Sequence, residues 1–162
     1  MLAIIWHSRT GASEALAAAA AAGARAAEGA GPCALLRAED AAPADLLAAA
    51  GYLFVCPENL ATMSGAMKEM FDRCYYALLG RIEGRSYATI IAAGSDGRGA
   101  QAQIDRIVTG WRLRRVAEPL IVNLGAQTAE AIAAPKQVST DSLAAAEQLG
   151  EALSAGLAMG VF

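Results

Sequence analysis

The chain has 162 residues, 56% of them hydrophobic and 18% charged, a balance that suits one packed domain over residues 1–162 and argues against disorder. Its formal net charge of −3 offers no electrostatic footprint for nucleic acid, and the one basic cluster, Arg112, Arg114 and Arg115, is expected as a solvated face at a helix end. Three cysteines without metal-type spacing, Cys33, Cys56 and Cys74, and a single histidine argue against a metal site; the odd cysteine count suits a reducing compartment.

The first run, Leu2–Trp6, has no basic region ahead of it and is too short for a signal core, so it reads as a buried strand in a cytoplasmic protein. Residues His7–Ser13 then break into a turn rich in hydroxyls, followed by the helical stretch Ala15–Ala27. Arg25 interrupts that stretch and Glu14 and Glu28 flank it, which predicts a soluble helix rather than a membrane span. A strand at Cys33–Leu36 leads into a second Ala-rich helix, Ala41–Ala50. Both helices rest on propensity and capping, because alanine serves either face. Strand Tyr52–Cys56 precedes the loop Pro57–Ser64, after which Met67, Met70, Phe71, Cys74 and Leu78 mark one apolar helical face. On that helix Tyr75 and Tyr76 are adjacent and cannot both face the core, so one is a candidate interface residue. Strand Tyr87–Ala92 is followed by the loop Gly94–Gly99 and by a helix with Ile104, Ile107, Val108 and Trp111 on one face. The last strand spans Pro119–Leu124. The stretch Gly125–Gln137 has no clear period and is expected as a surface connection before a final helix, which begins near Thr140 or Asp141 and carries Leu149, Leu153 and Leu157 on one stripe.

Five strands alternating with helices imply an α/β, doubly wound parallel sheet covered on both faces. With right-handed crossovers and the strand order 2-1-3-4-5, the loops after the first, third and fourth strands meet at one rim, where ligands sit in such sheets. The first loop has the makings of a phosphate seat. Free N–H groups at a helix N-terminus, the hydroxyls of Ser8, Thr10 and Ser13, and the close approach allowed by Gly11 can hold a phosphate without a lysine. The plain alternative is an ordinary helix cap. Arg9 either neutralises the phosphate or faces solvent, and His7 either contacts the nucleotide or fills the strand end. His7 beside Ser8 has no orienting acid and no nucleophile elbow, so the pair is not read as a catalytic dyad. Gly94, Gly97 and Gly99 run G-x-x-G-x-G, the reverse of the dinucleotide fingerprint, and their plain reading is a tight turn. Met67 and Met70 read as core, with Met63 the exception because it lies in a loop.

The turn Ser8-Arg9-Thr10-Gly11-Ala12-Ser13 resembles the FMN-phosphate loop of the flavodoxin-like flavoproteins, usually of the type Ser/Thr-x-Thr-Gly-Asn-Thr. Pro57-Glu58-Asn59, continuing into Leu60, with Ser64-Gly65 opening the next helix and Lys68 within it, resembles the ring-facing loop of the NAD(P)H-dependent FMN reductase and quinone reductase branch. Gly94-Ser95-Asp96-Gly97 stands where that family's third flavin-contacting loop follows the fourth strand. In register the resemblance runs from Met1 to about Leu124.

The resemblance implies a flavodoxin-like three-layer sandwich with FMN as cofactor and NAD(P)H as co-substrate. Ser8, Thr10, Gly11, Ala12 and Ser13 would hold the phosphate, with Arg9 as its charge partner. Pro57, Glu58, Asn59 and Leu60 would lie along the ring, and Gly94, Ser95, Asp96 and Gly97 would satisfy N1, O2 and N3. At N1 the carboxylate of Asp96 would disfavour the anionic reduced flavin, whereas at N3–H it would accept a hydrogen bond. Ala12 departs from the usual Asn and removes one side-chain hydrogen bond, leaving the backbone donors. Carrier flavodoxins sandwich the ring between aromatic side chains and are strongly acidic, yet neither Pro57–Met63 nor Gly94–Gly99 contains an aromatic residue. The expected activity is therefore hydride uptake from NAD(P)H and reduction of a quinone, flavin or similar small-molecule acceptor, with no catalytic side chain. A homodimer or homotetramer is expected, with no nucleic acid and no membrane insertion. The alternatives are a single-electron carrier and a flavodoxin-like binding module that has lost FMN, the latter supported by Ala12.

Overall fold

The computed structural model describes residues 1–162. A sheet runs in the order β2 (Cys33–Arg37), β1 (Leu2–Trp6), β3 (Gly51–Asn59), β5 (Ser86–Ala93), and ends in β6 (Arg114–Arg115) and β7 (Leu120–Asn123). All of these pairs are parallel. β6 and β7 both lie on β5, end to end: Arg114 and Arg115 pair with Ser86 and Tyr87, while Leu120–Asn123 pair with Ile90–Ala93. The expected order 2-1-3-4-5 is thus present, with the fifth strand split in two. Pro119, which has no N–H to give a ladder, lies in the break. A further short strand, β4 (Thr62–Met63), folds back antiparallel onto β3, so the sheet has 7 strands rather than five.

Strand alternation divides the core into two layers. Ala3 and Ile5 of β1, Tyr52, Phe54 and Cys56 of β3, and Tyr87 and Ile91 of β5 pack on one side. There they meet Met67, Met70, Phe71 and Cys74 of α3 (Gly65–Leu78) and Ala100, Ile104 and Val108 of α4 (Arg98–Gly110). Their neighbours Leu2, Ile4, Leu53, Val55, Ala88, Ile90 and Ala92 face the other side, against α1 (Ala12–Ala26) and α6 (Thr140–Met159). Two-sided burial explains why these strands read as unbroken apolar runs. A short α2 (Pro43–Ala48) and a five-residue α5 (Ala129–Ala133) complete the order.

The alanine content of α1 has a packing reason. A Cβ on Gly23 would lie 2.0 Å from the carbonyl oxygen of Glu147, and one on Gly150 would lie 1.9 Å from that of Ala20. α1 and α6 therefore approach backbone to backbone, and only small side chains fit between them.

Some expectations fail locally. Arg112, Arg114 and Arg115 do not end a helix: α4 stops at Gly110, Arg112 turns through a left-handed φ of 54°, and the other two form β6. Arg112 pairs with Glu83 at 3.2 Å and Arg115 with Asp105 at 3.1 Å. Gly125–Gln137 is not irregular throughout, since it contains α5, whose cap Thr128 accepts from the Ala131 N–H at 3.2 Å. The cap of α6 is Ser139, one residue earlier than expected, with its Oγ accepting from Ser142 N–H. Tyr75 is half-buried against Trp111, with ring centroids 5.7 Å apart, while Tyr76 is 83% exposed. No helix is long and apolar enough to cross a membrane.

Candidate functional site

The carboxyl ends of β1, β3 and β5 open onto one cleft. At the end of β1 the Gly11 N–H donates to Ser8 Oγ at 3.1 Å, closing a tight turn, and Gly11 itself takes a φ of 94° that disfavours side chains. α1 starts there without a side-chain cap, so the N–H groups of its first turn have no acceptor within the helix. Ser13 sits in that turn with its hydroxyl buried and unpartnered. A buried hydroxyl without a partner costs stability unless something else engages it.

The second wall is a hairpin. Asn59 pairs with Thr62 across a two-residue turn in which Leu60 and Ala61 have φ of 51° and 60°. Consecutive left-handed residues define the mirror-image turn that suits a tight hairpin, a position usually given to Asn-Gly. Docking on α4 holds this strained turn in place. The Glu58 carboxylate accepts from the Gly97 N–H at 2.8 Å and the Ala100 N–H at 3.0 Å, capping a helix whose own N-cap residue, Gly97, has no side chain to do so. Met63 N–H donates to Gln103 Oε1 at 3.0 Å, and the Ala61 carbonyl lies where a Cβ on Gly99 would be. Leu60 projects from the tip, 99% exposed.

The third wall comes from β5. A Cβ on Gly94 would lie 2.6 Å from the Ala126 carbonyl oxygen, so the crossover after β7 runs against it. Asn123 Nδ2 donates to the Ser95 carbonyl at 2.7 Å. Asp96 is exposed, and Arg98 holds its carboxyl below the usual carboxylate range.

Ser8, Arg9, Thr10, Ala12, Ser13, Pro57, Glu58, Asn59 and Gly94 line one cavity of about 70 Å³. Leu60 and Ser95 line a neighbouring cavity of about 280 Å³ that shares Arg9, Glu58, Asn59 and Gly94 with it. Gly11 shapes the turn without lining either cavity. Asp96 and Gly97 lie outside both: the first is turned to Arg98, and the second is packed against Ile91 and Ile121 with its N–H given to Glu58. Ile132 and Lys136, from the periodless crossover, complete the first cavity. No spacing signal marked them, because they enter through the backbone path: Lys136 N–H donates to the Thr10 carbonyl at 2.7 Å.

His7 braces the rim. Its Nδ1 lies 2.9 Å from Ser64 Oγ and its Nε2 lies 3.8 Å from Glu39. Burial lowers its pKa below the usual value, with Arg37 and Arg9 adding to the effect and Glu39 opposing it. With Nε2–H toward Glu39, the neutral ring accepts from the Ser64 hydroxyl. Ser64 is fully buried, so this row of Ser, His and Glu has no exposed nucleophile. The buried thiol of Cys56 is pushed up to about 12 by desolvation and is likewise inert.

No curated protein sequence matches this chain. Solved structures do. A flavodoxin from the domain Archaea is 17% identical, with 98% of this chain and 99% of that one covered at a TM-score of 0.79. The WrbA-like flavodoxin of Agrobacterium tumefaciens is 19% identical, with 98% and 97% covered at 0.70. The flavodiiron protein of Giardia intestinalis is 16% identical at a TM-score of 0.77, with 98% of this chain but 36% of that one covered. These likenesses establish a flavodoxin-like fold. The family model for NADPH-dependent FMN reductase matches residues 26–127, a stretch that holds the hairpin and the Gly94 loop but neither the Ser8–Ser13 turn nor Lys136. By that match the chain belongs to the NADPH-dependent FMN reductase family.

Proposed function

We propose that this chain binds FMN in the cleft, takes hydride from NAD(P)H and reduces a quinone, flavin or similar small acceptor, as a cytoplasmic homodimer or homotetramer. The observation that carries this reading is the orphaned Ser13 hydroxyl beside the uncapped start of α1, in the same cavity as Pro57–Asn59 and Gly94. A phosphate satisfies what is left open there. It takes the first-turn N–H groups, gives Ser13 Oγ an acceptor, and sits against the positive end of α1. Arg9, which has no ionic partner, and Lys136 line the same cavity and supply the charge that balances it. Ala12 removes a side chain from this set and leaves the backbone donors intact.

Bound FMN supplies the two-electron redox chemistry; the chain's part is to seat, orient and expose it. Pro57, Asn59 and the left-handed Leu60 offer a backbone edge beside the ring site, held rigid by Glu58 on α4. Gly94 and Ser95 form the opposite edge, where the absence of a Cβ on Gly94 lets the crossover close behind it. Asp96 and Gly97 act from outside, by ordering the start of α4. Neither ring-facing loop contains an aromatic residue, so one face stays open to a nicotinamide. That openness favours a reductase over the electron carrier suggested by the flavodoxin neighbours.

The test is a titration of the apo-chain with FMN followed by flavin fluorescence, then anaerobic addition of NADH or NADPH with flavin absorbance as the readout. Quenching followed by bleaching is the expected outcome. Bleaching by neither nucleotide would assign the chain to the carriers, and no binding at tens of micromolar FMN would sink both flavin readings.

A further inference from the structure

We propose that Lys136 is the cation by which the cleft recognises a phosphomonoester, so that the chain distinguishes FMN from riboflavin chiefly through this one side chain. The proposal rests on the FMN reading above and adds a residue that lies beyond the family match at 26–127.

Lys136 is fixed to the seat itself. Its N–H donates to the Thr10 carbonyl at 2.7 Å, and its own carbonyl lies 3.9 Å from where a Cβ on Gly11 would stand. The strap carrying it therefore crosses directly over the turn that begins α1. Its ammonium has three donors. Two are engaged, by the carbonyls of Ile132 at 2.8 Å and Ala134 at 2.6 Å, and one is left. Carbonyls hold an ammonium without neutralising it, and no carboxylate pairs with Lys136, in contrast to Lys68, which Asp72 holds at 2.6 Å. An unneutralised, half-buried cation thus lines the cavity that contains the orphaned Ser13 hydroxyl. Arg9 is the other cation present, but it is exposed and makes no hydrogen bond that would fix it, so solvent screens it more strongly.

The same contacts give the lysine a second effect. α5 buries no residue of its own, and Ile132 reaches the cavity from it half-exposed. By closing the last carbonyls of α5, Lys136 joins the cover over the cleft to the charge inside it. A phosphate that takes the remaining ammonium donor strengthens that closure.

The experiment compares FMN and riboflavin binding to the apo-chain by flavin fluorescence for the wild type, Lys136→Gln, Lys136→Met and Lys136→Arg, each at low and high salt. Gln keeps N–H donors for the α5 carbonyls and removes the charge; Met removes both; Arg keeps the charge. We expect both neutral variants to lose FMN affinity about tenfold or more, with riboflavin affinity unchanged and a flatter salt dependence. The Arg variant should retain most of the wild-type preference. Inorganic phosphate should raise the thermal midpoint of the wild type and the Arg variant more than that of the neutral variants. Equal loss of both flavins would overturn the proposal and leave a purely structural strap. So would FMN affinity that is unchanged in the Gln and Met variants, or a wild type with no preference for FMN over riboflavin, both of which leave flavin binding intact. A wild type that binds neither flavin removes the FMN reading itself, and this proposal falls with it.

Discussion

At the scale of single residues, Ser13 carries the most information because it is out of balance. A serine with 1% of its surface exposed and no hydrogen-bond partner weakens the fold it belongs to. Replacing it by alanine removes an unsatisfied hydroxyl and improves helix propensity. Ser13→Ala should therefore stabilise the apo-chain by about 1 kcal/mol, read as a rise in the urea midpoint. If the hydroxyl serves the phosphate, the same variant should bind FMN more weakly. Stability and affinity moving in opposite directions is the signature expected of a binding residue. A variant that loses stability without losing affinity would make Ser13 an ordinary packing residue whose partner is a buried water. The composition of the turn made this site legible in the sequence, since Ser8, Thr10, Gly11 and Ser13 bear donors in a pattern that needs no tertiary information. Lys136 was not legible: one lysine in a stretch without period carries no signal until the backbone path brings it over Thr10.

At the scale of elements, two contacts decide how the cleft is held. Glu58 joins the hairpin to α4 by accepting from two backbone N–H groups at once. Glu58→Gln keeps one acceptor oxygen and loses both the second bond and the negative charge at the helix start. The expected cost is about 1–2 kcal/mol in chemical denaturation, and Leu60 and Ala61 should become more susceptible to proteolysis. An unchanged midpoint would mean that water replaces the cap without loss. Sequence reading set Glu58 beside the ring because of where it stands in the chain. Glu58 does line the cleft, while its carboxylate is committed to α4, a distinction that only the fold makes visible. On the opposite layer Gly150 of α6 meets the backbone of Ala20, with 1.9 Å available for a Cβ. Alanine there gains about 1 kcal/mol of helix propensity and forces two backbones apart at a cost of about 1–3 kcal/mol. A carbonyl cannot swing aside as a side-chain tip can, so Gly150→Ala should be net destabilising. Gly65→Ala, at the start of α3 with nothing near its Cβ, should be neutral or mildly stabilising in the same assay. The alternating strands were legible because burial on both faces leaves long apolar runs. The Ala-rich α1 left no such pattern, since its close backbone packing on α6 selects for the absence of side chains, whereas α6 still showed the stripe Leu149, Leu153 and Leu157 that packs on this layer.

At the scale of the whole molecule, the cleft belongs to segments far apart in sequence, and His7 is where three of them meet. It follows directly on β1, its Nδ1 takes the cap residue of α3, and its Nε2 faces Glu39 after β2. Burial holds it neutral below its ordinary pKa of 6.5, and Arg9 and Arg37 work in the same direction against Glu39. The unfolded chain binds a proton to this residue at a higher pH than the folded chain does. The stabilisation is therefore complete above about pH 6.5 and is lost as pH falls from there through the lowered folded-state value. Urea midpoints measured from about pH 8 down to about pH 5 should be flat at first. The unfolding free energies obtained from them should then decline with a slope no steeper than about 1.4 kcal/mol per pH unit, the limit for one proton. His7→Gln retains a hydrogen bond to Ser64 and cannot titrate, so its profile should lack the decline while starting from a similar or slightly lower plateau. If the wild type and this variant decline together, the acid sensitivity belongs to carboxylates such as Glu39 and not to the imidazole. If only the wild type declines, acid acts by breaking the contact that joins the end of β1 to the start of α3. FMN affinity should then fall over the same pH window, because the phosphate turn and the hairpin are both anchored to that contact.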